Sequence, residues 1–357
     1  MNTLMNRGRT AFMGGVAVIG MALTAGEAYA YKIEPAYLQD SGSRESDKLK
    51  QSYDRFKDHF IQPIHERMAA LSFQCSVEKS DNEPCNGTNN QAEEQYANDL
   101  SHGARWNDDP NNSFMHDKGW IWLLWMLDAE RKADRLDNTY ALLYRSHFGD
   151  LQFLHAMASA KDDHDTTRNK ILAWGRFAYD VATGKIDPAA TLGVLARDYD
   201  FAKNFSSTAK KDWTVRHLFL NIQDYKHGGK KELRDGVVPD IALGALLHTI
   251  QDSYSNSHTT RTTPSTADAP QSGNVKAFLD YTKQKSACHG KADLESDWLS
   301  LGSINATDNP VYHGAWIIRR VRDKKPWDQE VGEKLSNIFA TADGKGYPGD
   351  GGFKDCP

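Results

Sequence analysis

The segment from Leu246 to His258, Leu-Leu-His-Thr-Ile-Gln-Asp-Ser-Tyr-Ser-Asn-Ser-His, carries the clearest pattern in this chain. It contains the spacing H-x3-D-x5-H. Positions i and i+4 share one face of a helix, so His248 and Asp252 can bind one cation together, while His258, just past the helix end, reaches a second. Alone, the same pattern also fits a polar pair turned toward solvent. The segment therefore predicts a helix that ends near Ser253 and carries a metal site.

Helical patterns dominate the rest of the chain, because apolar residues recur every three to four positions. The predicted helices are Asp54–Phe73, Trp120–Tyr144, Lys170–Thr183, Asp212–His227, Asp240–Ser253 and Val311–Val321. Strand-like alternation is scarce. Polar loops are expected at Glu78–Ala92, Thr259–Asn274 and Gly344–Phe353. The sequence thus predicts an all-α fold, a single compact multi-helix domain with long loops.

Residues 1–30 have the pattern of a secretory signal peptide. Arg7 and Arg9 supply the positive start, an apolar stretch follows, and Ala28-Tyr29-Ala30 is a small-x-small cleavage site. The apolar stretch is shorter than the ~20 residues that span a bilayer, so an uncleaved anchor is the minor alternative. We expect cleavage after Ala30, a mature domain over residues 31–357, and a periplasmic or secreted protein.

An exported protein can form disulfides, and the chain has four cysteines. Three pairings are possible. The close spacing of Cys75 and Cys85 favours a local loop, which leaves Cys288 to pair with Cys356. Since no C-x2-C spacing occurs, histidine and carboxylate must bind any metal.

Further histidine and carboxylate residues can complete the site. His289 and Asp293 repeat the i, i+4 spacing, so they can bind a second ion together with His258. The upstream candidates are His65, Asp108, Asp109, His147, His155 and His102.

Two of these candidates carry open alternatives. Asp108 and Asp109 are adjacent, and the sequence does not decide which side chain points inward. His155 lies in an apolar segment, so a core histidine bonded to a backbone carbonyl is favoured over a ligand.

In chain order, eight of these residues resemble the ligand series of the bacterial zinc-dependent phospholipase C family and of the related single-strand-specific zinc nucleases. They are His65, Asp108, His147, His248, Asp252, His258, His289 and Asp293. The resemblance spans most of the chain after residue 30, and its specific part is H-x3-D-x5-H followed by H-x3-D. It implies a compact all-α protein with a zinc cluster at the base of a cleft.

The resemblance also implies which residues bind two or three Zn²⁺ ions. One ion would be held by Asp108, His147, His248 and Asp252. A second would be held by His258, His289 and Asp293. A third would be held by His65, a shared oxygen of Asp252, and the amine and carbonyl of Tyr31.

Three positions depart from the family pattern. Asp293 stands where the phospholipases usually have Glu, as it does in the nucleases. Asn256 replaces a Pro, which affects loop stiffness more than ligation. Tyr31 replaces the expected N-terminal Trp and lies farther from His65 than the family spacing, so the third ion is the least secure.

Two or three zinc ions with imidazole and carboxylate ligands suit phosphodiester hydrolysis by metal-hydroxide attack. Asp108 is the expected catalytic carboxylate, which orients the attacking water or accepts its proton. The resemblance predicts a phospholipase C that releases diacylglycerol and a phosphorylated head group. Its substrate would be phospholipid at a membrane surface or in micelles.

The segment Ser146–Asp150 favours phospholipid, because it is similar to the His-Phe-x-Asp pattern of the phospholipases. The aromatic run Gly119–Met126 is predicted to be a core helix, with a lipid-facing patch as the alternative. A periplasmic single-strand-specific zinc nuclease or nucleotidase is the alternative function, and a non-catalytic exported zinc-binding protein a minor one. The formal charge of −5 provides no basic stripe for a polyanion. We expect a monomer without a transmembrane anchor.

Overall fold

Helices make up most of the described chain, and one antiparallel hairpin accompanies them. The computed structural model describes residues 64–83, 94–110, 119–206, 209–220, 235–266, 270–285, 288–289, 307–342 and 346–355. The helices are α1 (Ile64–Glu78), α2 (Glu94–Arg105), α3 (Gly119–Arg131), α4 (Leu142–Phe148), α5 (His164–Ala182), α6 (Leu192–Leu195), α7 (Asp200–Ser206), α8 (Val215–Phe219), α9 (Val238–Asp252), α10 (Pro310–Arg322) and α11 (Gly332–Ile338). Single 3₁₀ turns lie at Ala133–Arg135, Gln152–His155, Ala209–Asp212, Asp235–Val237 and Tyr281–Lys283, and a π-helical turn at Trp327–Val331.

The most apolar helix, α9, lies at the centre of the fold. A proline in its first turn fixes the helical start, and the side chains from Ile241 to Asp252 are all buried. A helix buried on every side must be covered by neighbours. Helices α2, α5 and α10 pack against it, and α1 packs against both α2 and α10. The main apolar core therefore surrounds α9 and extends along α5.

Two glycines let α2 and α9 approach at backbone distance. A Cβ atom added to Gly244 would overlap the carbonyl oxygen of Leu100 and would lie 2.6 Å from the amide nitrogen of Ala104. A Cβ added to Gly103 would overlap the carbonyl oxygen of Ile241. Because backbone atoms cannot move aside as side chains do, these positions require glycine.

Replacing Gly244 by Ala should therefore destabilise the protein. Overpacking typically costs about 1–3 kcal/mol, and a clash with backbone atoms belongs at the upper end of that range. Urea denaturation of the variant measures the loss. Gly236→Ala is the matched control, because a Cβ there meets no atom within 4 Å. Equal stability of the two variants would contradict the close packing of α2 on α9.

The only strands among the described residues form a hairpin that the sequence analysis did not predict. Strand β1 (Thr259–Thr263) pairs antiparallel with β2 (Ser272–Phe278). All of β1 and the first three residues of β2 lie in the segment Thr259–Asn274 predicted to be a polar loop. The buried Arg261 holds the hairpin against the helices, since its guanidinium donates to the carbonyls of Ser253, Gly273 and Ile338. The run of threonines in β1 suits an extended chain. The described chain is therefore mainly helical, in broad agreement with the all-α prediction, and it has one two-stranded hairpin in addition.

The helix predicted over Trp120–Tyr144 is wrong in its middle, because α3 ends at Arg131 and α4 begins at Leu142. Between them, the carboxylate of Asp137 accepts from the backbone N–H of Thr139 at 2.8 Å, which forms a local turn in place of helix. In the aromatic run that α3 carries, Met126 is buried and Trp125 is half-buried. The side chains before Trp125 in this run lie outside the described residues.

The helices predicted over Lys170–Thr183, Asp240–Ser253 and Val311–Val321 are present as α5, α9 and α10. Only the ends of the other two fall in the described residues, as α1 and α8. No helix in the described part of the chain is both long and apolar enough to cross a membrane. Cys75 and Cys288 are buried, and Cys85 and Cys356 lie outside the described residues, so their pairing stays a prediction.

Candidate metal centre

The C-terminal end of α9 places His248 and Asp252 on successive turns, facing the same side. Both side chains are fully buried, which excludes a polar pair turned toward solvent. The helix ends at Asp252, and the chain then turns back so that His258 lies immediately before β1. The predicted helix end and the position of His258 beyond it are thus present in the structure.

Histidines and carboxylates from five other parts of the chain converge on this helix end. Helix α1 brings His65, the turn after α2 brings Asp108, the end of α4 brings His147, the following 3₁₀ turn brings His155, and the segment 288–289 brings His289. The buried donors gathered here are His65, Asp108, His147, His155, His248, Asp252, His258 and His289. Each is at most 5% exposed, so the group is shielded from bulk water. We call these eight side chains the His/Asp cluster.

Asp252 lies at the centre of the His/Asp cluster. Its Oδ2 is 2.8 Å from Nε2 of His248, 2.9 Å from Nδ1 of His155 and 3.5 Å from Nδ1 of His258. Its Oδ1 is 3.3 Å from Nε2 of His65. Two atoms that bind one zinc ion at about 2.1 Å lie about 3.3 Å apart, so these separations suit shared ligation.

The remaining members extend the His/Asp cluster on two sides of Asp252. Oδ1 of Asp108 is 3.8 Å from Nδ1 of His155 and 3.9 Å from Nε2 of His248. The rings of His147 and His155 have centroids 4.7 Å apart, as do those of His258 and His289. The rings of His65 and His248 are stacked, with centroids 3.8 Å apart.

Three overlapping sets of donors can each hold a metal ion, since their ligand atoms lie within 4.8 Å of one another. The sets are His65 with Asp108 and His248, Asp108 with His147 and His155, and His155 with His248 and Asp252. Among the described residues, Asp108 belongs to these sets and its neighbour Asp109 does not. This favours Asp108 as the inward-pointing carboxylate of the two that the sequence left open. The half-buried His102 belongs to none of the sets.

The outward nitrogen of every imidazole in the His/Asp cluster faces an oxygen acceptor. For five of them this is Nδ1, and for His155 it is Nε2. The acceptors are Gln251 Oε1 for His65 at 2.6 Å, Leu143 O for His147 at 3.0 Å, Asn107 O for His155 at 3.1 Å, Ala104 O for His248 at 2.6 Å, His155 O for His258 at 2.7 Å and Gln284 Oε1 for His289 at 2.5 Å. Metal-binding histidines typically have such partners, which fix the tautomer and the ring orientation.

These acceptors assign the proton to the outward nitrogen, so the inward nitrogen presents a lone pair. Around Asp252, the lone pairs of His248 and His155 then face a carboxylate oxygen at 2.8 and 2.9 Å. Two acceptors at that distance repel each other unless a metal ion or a proton lies between them. The donor set therefore fits a bound metal ion.

Burial also sets the protonation states of these groups. Loss of hydration is the main cause that lowers the pKa of all six imidazoles. Together with neighbouring imidazoles, it brings the pKa to about 4 for His147 and about 3 for His258. Burial raises the pKa of Asp252 well above its usual range. Neutral imidazole is the form that binds metal, and a bound cation would hold Asp252 as a carboxylate.

A small cavity opens beside the His/Asp cluster. It is lined by Ser146, His147, His155, Met157, His258 and Tyr281. Met157 and Tyr281 belong to a second apolar cluster, formed mainly by α3 and α4. The ring of Tyr281 meets that of His289 edge to face, with centroids 4.4 Å apart. One wall of the cavity is therefore imidazole and another is apolar.

His155 makes a second contact, to Asp252, that its place in the sequence does not indicate. The favoured interpretation was a core histidine bonded to a backbone carbonyl, and that bond, to Asn107, is present. The other ring nitrogen, however, faces Asp252. A single histidine in an apolar segment has no spacing signal that would have indicated this contact. Two predicted ligands, Tyr31 and Asp293, lie outside the described residues.

Comparison of the chain with protein-family models, with curated proteins and with solved structures found no match.

Proposed function

We propose that this protein is an exported zinc-dependent phosphodiesterase of the phospholipase C type. The observation that supports the proposal is the burial of six imidazoles and the Asp108 carboxylate around Asp252, next to a cavity with one apolar wall. Neutral imidazoles with carboxylates are ligands that suit zinc. The resemblance of the ligand series to the zinc phospholipases supplies the reaction.

The residues that would hold two or three zinc ions are those of the His/Asp cluster, joined by Asp293 and Tyr31. Zinc, when bound, polarises a phosphoryl oxygen and makes water a better nucleophile. The two carboxylates of the cluster have different surroundings. Both oxygens of Asp252 lie within 3.3 Å of inward imidazole nitrogens, so this carboxylate would bind the metal directly.

Asp108 is the carboxylate that we assign to the attacking water. Its Oδ1 stands 3.8 and 3.9 Å from the inward nitrogens of His155 and His248, farther than Oδ2 of Asp252. A carboxylate beside a metal-bound water can orient that water or accept its proton. In the reaction, the water oxygen bonds to phosphorus, the bond from phosphorus to the glycerol oxygen breaks, and the diacylglycerol oxygen takes a proton.

The cavity beside the His/Asp cluster is the position at which we place the phosphorylated head group. It is too small for acyl chains. The acyl chains would stay at the membrane surface or in the micelle. The apolar wall formed by Met157 and Tyr281 would face the head group, where the face of an aromatic ring attracts a quaternary ammonium.

Export and a monomeric state complete the proposal. They rest on the signal-peptide pattern of residues 1–30, which lie outside the described residues, and on the phospholipase resemblance.

One assay separates the proposed activity from its alternatives. Purified, zinc-loaded protein is offered short-chain phosphatidylcholine and single-stranded DNA side by side. We expect release of phosphocholine and diacylglycerol without release of nucleotides. Nucleotide release without phosphocholine would overturn the proposal in favour of the nuclease, and bound zinc with no turnover of either ester would indicate a non-catalytic zinc-binding protein.

A further inference from the structure

His155, which the resemblance does not assign, occupies the tightest group of donors in the His/Asp cluster. Its Nδ1 is 2.9 Å from Oδ2 of Asp252 and 3.1 Å from Nε2 of His248, and those two atoms are 2.8 Å apart. The three donor atoms thus form a nearly equilateral triangle. A triangle with sides of about 3 Å is the face that three ligands present to one metal ion.

His147, the ligand expected beside His248 and Asp252, lies farther out. Among the described residues it shares a possible ligand set with Asp108 and His155, and not with His248 or Asp252. It also lines the cavity next to Ser146 and Met157. The position that the sequence assigned to His147 is therefore held by His155.

The surroundings of His155 fix its ring in this position. Its Nε2 donates to the carbonyl of Asn107, and the Asn107 amide donates in turn to the carbonyls of Leu154 and Ala245 at 2.6 and 3.2 Å. The hydroxyl of Thr249, on α9, donates to the same Leu154 carbonyl at 2.7 Å. These bonds tie the 3₁₀ turn of His155 to α9, which carries His248 and Asp252. Such outer hydrogen bonds orient a metal ligand.

We propose that His155 binds, through Nδ1, the metal ion held by His248 and Asp252, in place of His147. The inference rests on the proposed metal centre. It also marks His155 as different in geometry, because the other five imidazoles of the His/Asp cluster turn Nδ1 outward to an oxygen acceptor.

Two matched variants test this ligand. Gln at position 155 can keep the outward bond to the Asn107 carbonyl while it removes the inward Nδ1. Asn at position 147 can keep the outward bond to the Leu143 carbonyl while it removes the inward Nε2. His217→Ala, a partly buried histidine that caps α8, controls for loss of an imidazole elsewhere.

Zinc content is measured after equilibrium dialysis, by elemental analysis of wild type and variants. We expect His155→Gln to bind one ion fewer per chain than wild type, or to bind it at least about 100-fold more weakly. His217→Ala should keep the wild-type number of ions, and His147→Asn should keep more of the bound zinc than His155→Gln. Unchanged zinc binding in His155→Gln, or loss of that ion in His147→Asn, would overturn the inference while leaving the proposed function standing. A wild type that binds no zinc would overturn both.

A second measurement uses the wild type, so it does not depend on the folding of a variant. Ring-¹⁵N NMR distinguishes histidines that bind metal through Nδ1 from those that bind through Nε2. The zinc-loaded protein should show a histidine with metal on Nδ1 and a proton on Nε2. A spectrum in which every metal-bound imidazole binds through Nε2 would contradict the role of His155.

Discussion

Replacing Asp252 by Asn is expected to remove bound zinc and phosphodiester turnover together. Asp252 contacts the inward nitrogens of His65, His155 and His248 through its two oxygens, so it would join more than one ion. An amide carries no charge and is a poor ligand, and its N–H groups would donate to the lone pairs of the imidazoles instead. We expect turnover to fall on the order of 1,000-fold or more, the range found when a central electrostatic group is removed.

The same substitution should have a different effect on the metal-free protein. Without a cation, a buried carboxylate beside imidazole lone pairs is unfavourable, whereas an amide can hydrogen-bond to them. Metal-free Asp252→Asn should therefore unfold at a temperature no lower than that of the metal-free wild type. Zinc analysis, the ester assay and thermal unfolding of both forms measure these effects.

Asp180→Asn is the matched control for this experiment. Asp180 is buried like Asp252, but it accepts from Tyr199 and Lys185, away from the His/Asp cluster. The control should keep its zinc and its activity. A fully active, zinc-containing Asp252→Asn protein would contradict the central position that we give to this carboxylate.

Removal of zinc should strongly lower the stability of the wild type. An ion that binds only the folded state stabilises it by about 4 kcal/mol when its free concentration is 1,000 times the dissociation constant. For a chain of this size each kcal/mol shifts the unfolding midpoint by about 1.5 °C, so we expect chelation to lower it by roughly 6 °C.

Calorimetry before and after dialysis against a chelator measures this shift, and added zinc should restore it. The Asp252→Asn variant should show little shift, because it has lost the ions beforehand. Identical midpoints for wild type with and without zinc would mean that the His/Asp cluster does not bind metal in the folded state.

Local spacing revealed the part of the candidate site that lies on one helix. His248 and Asp252 share a face of α9 because four residues make about one turn, and this relation is readable from the sequence alone. His258 follows because the helix ends at Asp252. The approach of His65 and His147 depends on how separate helices pack, which the periodicity of each helix does not determine. For those two residues the prediction depended on the family resemblance.

The structure adds contacts that no spacing could have indicated. Several outward acceptors, such as the Ala104 carbonyl for His248 and the Gln251 amide oxygen for His65, come from distant segments. The place of His155 depends on the network around Asn107, which forms only when its turn packs on α9. The hairpin was missed because the sequence gives no sign that Arg261 is buried. Its hydrogen bonds to the carbonyls of Ser253 and Ile338 tie the hairpin to the helices.

Anomalous X-ray diffraction from crystals of the zinc-loaded protein, recorded above the zinc absorption edge, tests the metal centre most directly. The account predicts strong anomalous peaks inside the His/Asp cluster, with at least one about 2 Å from an oxygen of Asp252 and from Nε2 of His248. Zinc peaks confined to the protein surface, with the cluster free of anomalous density, would contradict it.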